Sequence, residues 1–226
     1  MSMRSSQQQQ LKLCWLTFTK TLNHPSPRII VTHPNPDKFN GLSVFHAAGA
    51  ESIASAKTAA DMPGSDAYKR YFWINIAKAF TEATYPKLEA IKTTYSGKQV
   101  ITLKSGETIS LFELAKPGIS SDQTVVRIDQ SGDLIVGDLV HSNNHAWLEG
   151  GIVNGKPVPT IEGWKADLAE IAKLGTGKVY GGRGDFLPVA EAVAQQTASR
   201  ALVIKWANFP IRPSKAPTMG PYRLKW

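Results

Sequence analysis

His33, Asn35, Asp37 and Lys38 follow a short β-branched run, Arg28-Ile29-Ile30-Val31-Thr32, and are spaced by Pro34 and Pro36. The run is bounded by prolines and reads as a buried strand. The prolines favour an extended loop after it, so His33, Asn35 and Asp37 are expected to point one way. An imidazole, a carboxamide and a carboxylate at a strand mouth can surround a cation. His with Asp suits Zn²⁺ or a similar borderline metal. The plainer expectation is a strand-to-helix turn with Asp37 near the helix start, where the dipole favours it.

A second cluster lies about a hundred residues on, where the apolar run Leu134-Ile135-Val136-Gly137 leads into Asp138, with His141 and His145 close behind. A third segment, Lys178-Val179-Tyr180, precedes Gly181-Gly182-Arg183-Gly184. These segments, together with Pro117-Gly118-Ile119-Ser120-Ser121-Asp122, resemble the metallo-β-lactamase superfamily in type and order. The first segment, Thr32-His33-Pro34-Asn35-Pro36-Asp37-Lys38-Phe39-Asn40-Gly41, is similar to that family's His-x-His-x-Asp-His signature. The resemblance spans about residues 28–195.

The resemblance implies an α/β (α+β) fold, a four-layer αββα sandwich. It also implies a dinuclear zinc centre that activates water against an ester, amide or thioester carbonyl. Of the positions it assigns to metal ligands, His33, Asp37 and Asp138 are retained, with Asp37 and Asp138 at the catalytic centre. Asn35, Lys38, Ile119 and Arg183 replace the others. A carboxamide is a poor zinc ligand, and Lys and Arg carry a charge that opposes a dication. Neither metal position keeps the three protein ligands that a catalytic zinc uses.

Three readings follow. In the first, Lys38 and Arg183 form an ion-pair network with Asp37 and Asp138 in place of the second metal, and Ile119 plugs the first position. The protein is then an inactive or altered hydrolase-like pseudoenzyme, with Asn35, Lys38 and Arg183 facing an anionic small-molecule ligand. In the second, His141 or His145 joins His33 and Asp138 around one surviving zinc. In the third, the chain binds polyanions weakly through basic tails.

Charge decides how far the third reading extends. The net charge is +8, yet residues 1–28 carry four Lys/Arg and no acid, and residues 197–226 carry six and no acid. Residues 29–196 therefore hold 16 basic and 18 acidic residues, so the excess lies in the tails and not on a domain face. No zinc finger or RNA-recognition pattern points to a specific nucleic-acid partner.

A chain of 226 residues can hold one domain with a sizeable core. The expected organisation is an irregular basic tail over 1–27, the sandwich domain over 28–206 and a Pro-rich basic tail over 207–226. The single Cys14 excludes an intramolecular disulfide. No apolar stretch reaches the length of a membrane span. Leu11–Phe18 imitates a short signal-peptide core but lacks a small-residue cleavage site, which leaves a cytoplasmic default.

Helices are expected within 42–60, over Ser65–Thr84 with its aromatics in the core or cleft wall, over Thr160–Leu174 and over Pro188–Ile204. Strands are expected near Ser52–Ser55, Gln99–Leu103, Thr108–Glu113, Thr124–Asp129, Leu134–Val136 and Lys178–Tyr180, with glycine turns between several of them. So few residues precede Ile29 that the first sheet should lack N-terminal strands. That predicts low stability, or a homodimer through the open edge.

Overall fold

The computed structural model describes residues 27–142, 151–153, 156–158 and 160–207, with side chains described as far as 198 except at 153. The expected basic tails, His145 and the signal-peptide-like stretch all lie outside the described residues.

Two sheets form the middle of the molecule. The first contains β1 (Arg28–Ile30), β2 (Glu51–Ser55) and β3 (Thr93–Tyr95), all parallel and in the order β1-β2-β3. The second has six strands. These are β4 (Lys98–Thr102), β5 (Thr108–Glu113), β6 (Thr124–Ile128), β7 (Asp133–His141), β10 (Lys178–Arg183) and β11 (Leu187–Pro188), in the order β11-β10-β7-β6-β5-β4. A small hairpin of β8 (Gly151–Val153) and β9 (Lys156–Val158) stands apart.

Three apolar clusters define the layers. Ile53, Tyr95, Ile101, Leu111 and Val126 fill the space between the sheets, with Ile30 and Ile109 against them. Val31, Phe39, Leu42, Ala54 and Met62 pack the outer face of the first sheet against α1 (Pro36–Phe39), α2 (Leu42–Ala47) and α3 (Ala56–Tyr71). Leu134, Val136, Leu139 and Val179 pack the outer face of the second sheet against Trp164, Leu168 and Ile171 of α4 (Ile161–Leu174) and Val189 and Ala192 of α5 (Val189–Ala207). Helices, sheet, sheet and helices make the four-layer αββα sandwich. The first sheet has three strands among the described residues.

Local chemistry explains where the elements begin. Ser55 caps α3 by accepting the Thr58 N–H at 2.9 Å. That starts the helix at Ala56, well before the expected Ser65. Pro63 and Gly64 look like breakers, but burial of Thr58, Met62, Ser65 and Asp66 along one face holds the helix through them. It then passes into one π-helical turn, Phe72–Ile76. The aromatics expected in the core turn outward there, since Tyr71, Phe72, Trp73 and Ile76 are exposed. Strand β7 also runs further than expected, through Gly137 and Asp138 to His141. No helix among the described residues is long and apolar enough to cross a membrane.

Candidate functional site

Three strands point their C-terminal ends at one place. β1 ends at Ile30 and leads to His33, β7 carries Asp138 and His141, and β10, parallel to β7, carries Arg183. Thr124 N–H donates to the Thr32 carbonyl at 2.7 Å and so ties the β1 exit to the start of β6. His33 is fully buried. Its Nδ1 lies 3.0 Å from Thr32 Oγ1, which orients the ring so that Nε2 faces Asp138 Oδ2 at 3.7 Å. His141 approaches the other carboxylate oxygen, with Nε2 at 3.8 Å from Oδ1.

The third neighbour of Asp138 is a cation. Proline at the first position of α1 turns the chain helical, and that turn swings Lys38 inward. Lys38 Nζ donates to Asp37 Oδ2 at 2.8 Å and to Asp138 Oδ1 at 2.9 Å. Burial works against the Lys38 charge, but Asp37 and Asp138 outweigh it and raise the ammonium above its usual pKa. Burial also works against the Asp138 carboxylate, yet His33 and Lys38 hold it well below the usual carboxylate range. One ammonium thus bridges two carboxylates, and the Asp138 carboxylate stays ionised.

Glycines make room for it. A Cβ on Gly182 would fall 1.8 Å from Asp138 Oδ1, inside the carboxylate itself. Gly137 has φ +54°, and a Cβ there would meet Thr32 Oγ1 at 2.8 Å. The Gly-Asp and Gly-Gly pairs of the sequence are therefore space requirements of Asp138 and the β1 exit.

The structure brings His33, Asp37, Lys38, Asp138 and His141 together and leaves other candidates aside. The alternation expected for His33, Asn35 and Asp37 gives way to the helical turn of α1, which leaves His33 buried and Asp37 exposed. Asn35 sits at the N-cap position of α1 without a side-chain capping bond. Arg183 pairs with His141 in strand register, but its side chain is exposed and forms no ion pair with Asp37 or Asp138. The expected four-membered network is thus a three-membered one, because the Arg183 side chain leaves the strand toward solvent. Ile119 belongs to the buried cluster beneath α4 with Leu114, Val125 and Trp164.

Several supporting residues escaped the sequence reading. Gln196 of α5 accepts the His141 backbone N–H at 2.7 Å. Buried Asp122 accepts from Thr58 Oγ1 at 2.7 Å and from Ser55 Oγ, which joins the β6 approach to the α3 cap. Nothing in residue type or spacing singles out Gln196, which reaches the site from 55 residues away. Among the described residues, no group of three or more His, Cys, Asp or Glu side chains is arranged to hold a metal ion.

Comparison with known proteins agrees with this architecture. The model of the metallo-beta-lactamase superfamily matches residues 25–183. A metallo-beta-lactamase from Pontibacter korlensis superposes with a TM-score of 0.59 at 16% identity, over 83% of this chain and 75% of that one. The metallo beta lactamase from Hirschia baltica gives 0.59 at 16% identity, over 84% and 74%. The FIM-1 enzyme from Pseudomonas aeruginosa, solved in a mono-zinc form, gives 0.55 at 18%, over 81% and 73%. At these identities the likeness to solved structures concerns the fold. A search of curated proteins gives no match. With the family model spanning most of the chain and the four layers in place, the protein belongs to the metallo-beta-lactamase superfamily.

Proposed function

We propose that this protein is a hydrolase-like member of its superfamily in which the Lys38 ammonium takes the place of a metal, so that it binds a small anionic molecule without zinc-dependent hydrolysis. The single observation that carries this reading is the position of Lys38 Nζ, 2.8 Å from Asp37 and 2.9 Å from Asp138. The superfamily implies zinc, and this donor set does not fit a dinuclear centre. Both carboxylates already accept from one ammonium, and a dication at that point would face its fixed positive charge. What the chain's own residues supply is an interlinked polar floor: His33 held by Thr32, Asp138 held by Lys38, and His141 held through its backbone by Gln196.

The charge available for a ligand comes from Arg183. Lys38 is committed to two carboxylates, whereas the Arg183 guanidinium is exposed at the end of β10 and presents a fork suited to a carboxylate or phosphate. Titration with benzoate and with inorganic phosphate tests this. Arg183→Gln should weaken whichever anion binds by about tenfold, in line with the loss of one charge-assisted hydrogen-bonded contact. Equal binding by both forms would overturn the assignment of Arg183.

A second reading has its own observation. His33 and His141 flank the two oxygens of Asp138 at 3.7 and 3.8 Å, so displacement of Lys38 would leave the carboxylate with an imidazole beside each oxygen. Metal-dependent hydrolysis of a chromogenic ester or β-lactam, abolished by His33→Ala, would favour that one-metal hydrolase over the metal-free reading.

A further inference from the structure

The far end of α3 turns apolar side chains to solvent. Tyr71 and Ile76 are the most exposed large apolar side chains among the described residues, at 63% and 60%, and Phe72 and Trp73 between them are exposed as well. The π-helical turn gathers them. Ala77 N–H donates to the Phe72 carbonyl at 2.9 Å, an i→i+5 bond. In such a turn residues five apart lie nearly above one another. Ile76 therefore returns to the side of Tyr71, where an α-helix would carry it round by more than a quarter-turn. Lys78, at φ +52°, then ends the turn. The chain folds back so that the Trp73 carbonyl accepts from Ala79 at 2.9 Å. Phe80 packs edge-on against Trp73 and Tyr85, at 6.4 and 5.7 Å between centroids, and Phe72 meets Trp73 edge-on at 5.4 Å. The patch is a built surface, braced from behind by its own aromatics.

Charge across the patch has one sign. Residues 68–80 hold Lys69, Arg70 and Lys78 and no acid. Asp66, the acid before them, is buried, and Glu82, the acid after them, accepts from Arg70 Nε at 3.0 Å. Lys69 and Lys78 thus bracket the apolar side chains. Aromatics between lysines suit the boundary of water and lipid, where Trp and Tyr lie at headgroup depth and cations meet anionic lipid. A second copy of the molecule fits poorly. A two-fold interface apposes the same patch on both subunits, so Lys69 and Lys78 would face their own kind. A stable interface also uses about 20–30 residues a side, far more than this helix end presents. An anionic bilayer takes the apolar and the cationic parts at once.

We propose that the end of α3 is a peripheral membrane contact, with Tyr71, Phe72, Trp73 and Ile76 entering the headgroup layer of an anionic phospholipid bilayer and Lys69 and Lys78 meeting its phosphates. The contact lies away from the polar site. β2 and β3 are parallel, so α3 between them runs back against the strand direction. Its 16 residues carry Tyr71 about 24 Å from the cap at Ser55, which stands at the C-terminal end of β2. A molecule held at this end keeps the site at the opposite strand ends open to water.

Sedimentation of the full-length protein with sucrose-loaded vesicles tests this, using phosphatidylcholine alone and phosphatidylcholine mixed with phosphatidylserine at physiological salt. The parent should bind the mixed vesicles on the order of tenfold more tightly than the neutral ones. Tyr71→Ser combined with Ile76→Ser should weaken that binding on the order of tenfold, and Lys78→Gln about fivefold. Binding through the basic tails alone would leave the double variant equal to the parent, and that result would overturn the proposal. A parent that binds neither vesicle would overturn it too, and a dimer lost in the double variant would then name a second copy as occupant. A label read in place gives an independent measurement. With the only cysteine replaced, Cys14→Ser, an environment-sensitive fluorophore on Ile76→Cys should brighten on the mixed vesicles, whereas the same label on Ser105→Cys, exposed in the turn between β4 and β5, should not. Equal responses of the two labels would also overturn the proposal.

Discussion

Replacing Lys38 by Met should destabilise the protein by about 3–5 kcal/mol at pH 7, the usual cost of removing one partner from a buried ion pair. The estimate applies because both ends are well covered: the side chain of Asp138 is 6% exposed and that of Lys38 is 20% exposed. The variant leaves the buried Asp138 without its ammonium partner. Added zinc should then raise its melting temperature, since His33, Asp138 and His141 lose the cation that opposed a metal, whereas zinc should leave the parent unchanged. Lys38→Arg keeps the charge and should lie between the two. The acid limb has a definite sign. Asp138 has a folded pKa held below its ordinary value, so its contribution is present above the unfolded carboxylate range and is lost as pH falls through the folded pKa. The parent should therefore lose stability below about pH 4 more steeply than Lys38→Met. Chemical denaturation of the three forms between pH 3 and pH 7 checks this, and equal stability of parent and Lys38→Met would show that the pair contributes nothing.

Asp167→Asn should act in the opposite direction and stabilise the protein at neutral pH. Asp167 lies on the buried face of α4, and neither carboxylate oxygen has a hydrogen-bond partner. A Cβ on Gly118 would come within 2.6 Å of Asp167 Oδ2, so the loop before Ile119 closes directly over it. Burial pushes its pKa up to about 8, and the charges of Glu170 and Asp122 push the same way. In the fold the group is neutral at pH 7, whereas in the unfolded chain it is ionised. The unfolded state therefore binds fewer protons between about pH 4 and pH 8, and stability falls as pH rises through that window. At pH 7 the penalty is on the order of 3–4 kcal/mol. The asparagine, neutral in both states, removes it. Urea melts should show parent stability declining from pH 5 to pH 8 and a nearly level profile for Asp167→Asn. Parallel profiles would contradict the account of a protonated Asp167.

Much of the framework was legible in the chain itself. Alternating apolar runs with glycine turns placed β4, β5 and β6 within a residue or so, because their pattern matches a sheet with one covered face. The loop after β1 and the Gly-Asp pair located the site, since His33 and Asp138 meet there. What failed to show in the sequence was set by tertiary packing. Helix α3 survives Pro63-Gly64 because Met62, Ser65 and Asp66 are buried on one face, and no local propensity predicts that. Lys38 and Arg183 looked equivalent as cations at metal positions. The turn of α1 directs one inward, while the other leaves an exposed strand end. The supporting contact from Gln196 and the buried, unpartnered state of Asp167 depend on how α5 and α4 pack, which a single sequence does not encode in any local pattern.

The metal content of the purified protein tests the central claim most directly. Full-length protein, prepared without added metal, should be analysed by elemental mass spectrometry before and after incubation with zinc and exhaustive dialysis. Lys38 paired with Asp37 and Asp138 predicts far less than one zinc per chain in both samples. One or two tightly held equivalents in either sample would contradict an ammonium standing in the metal's place.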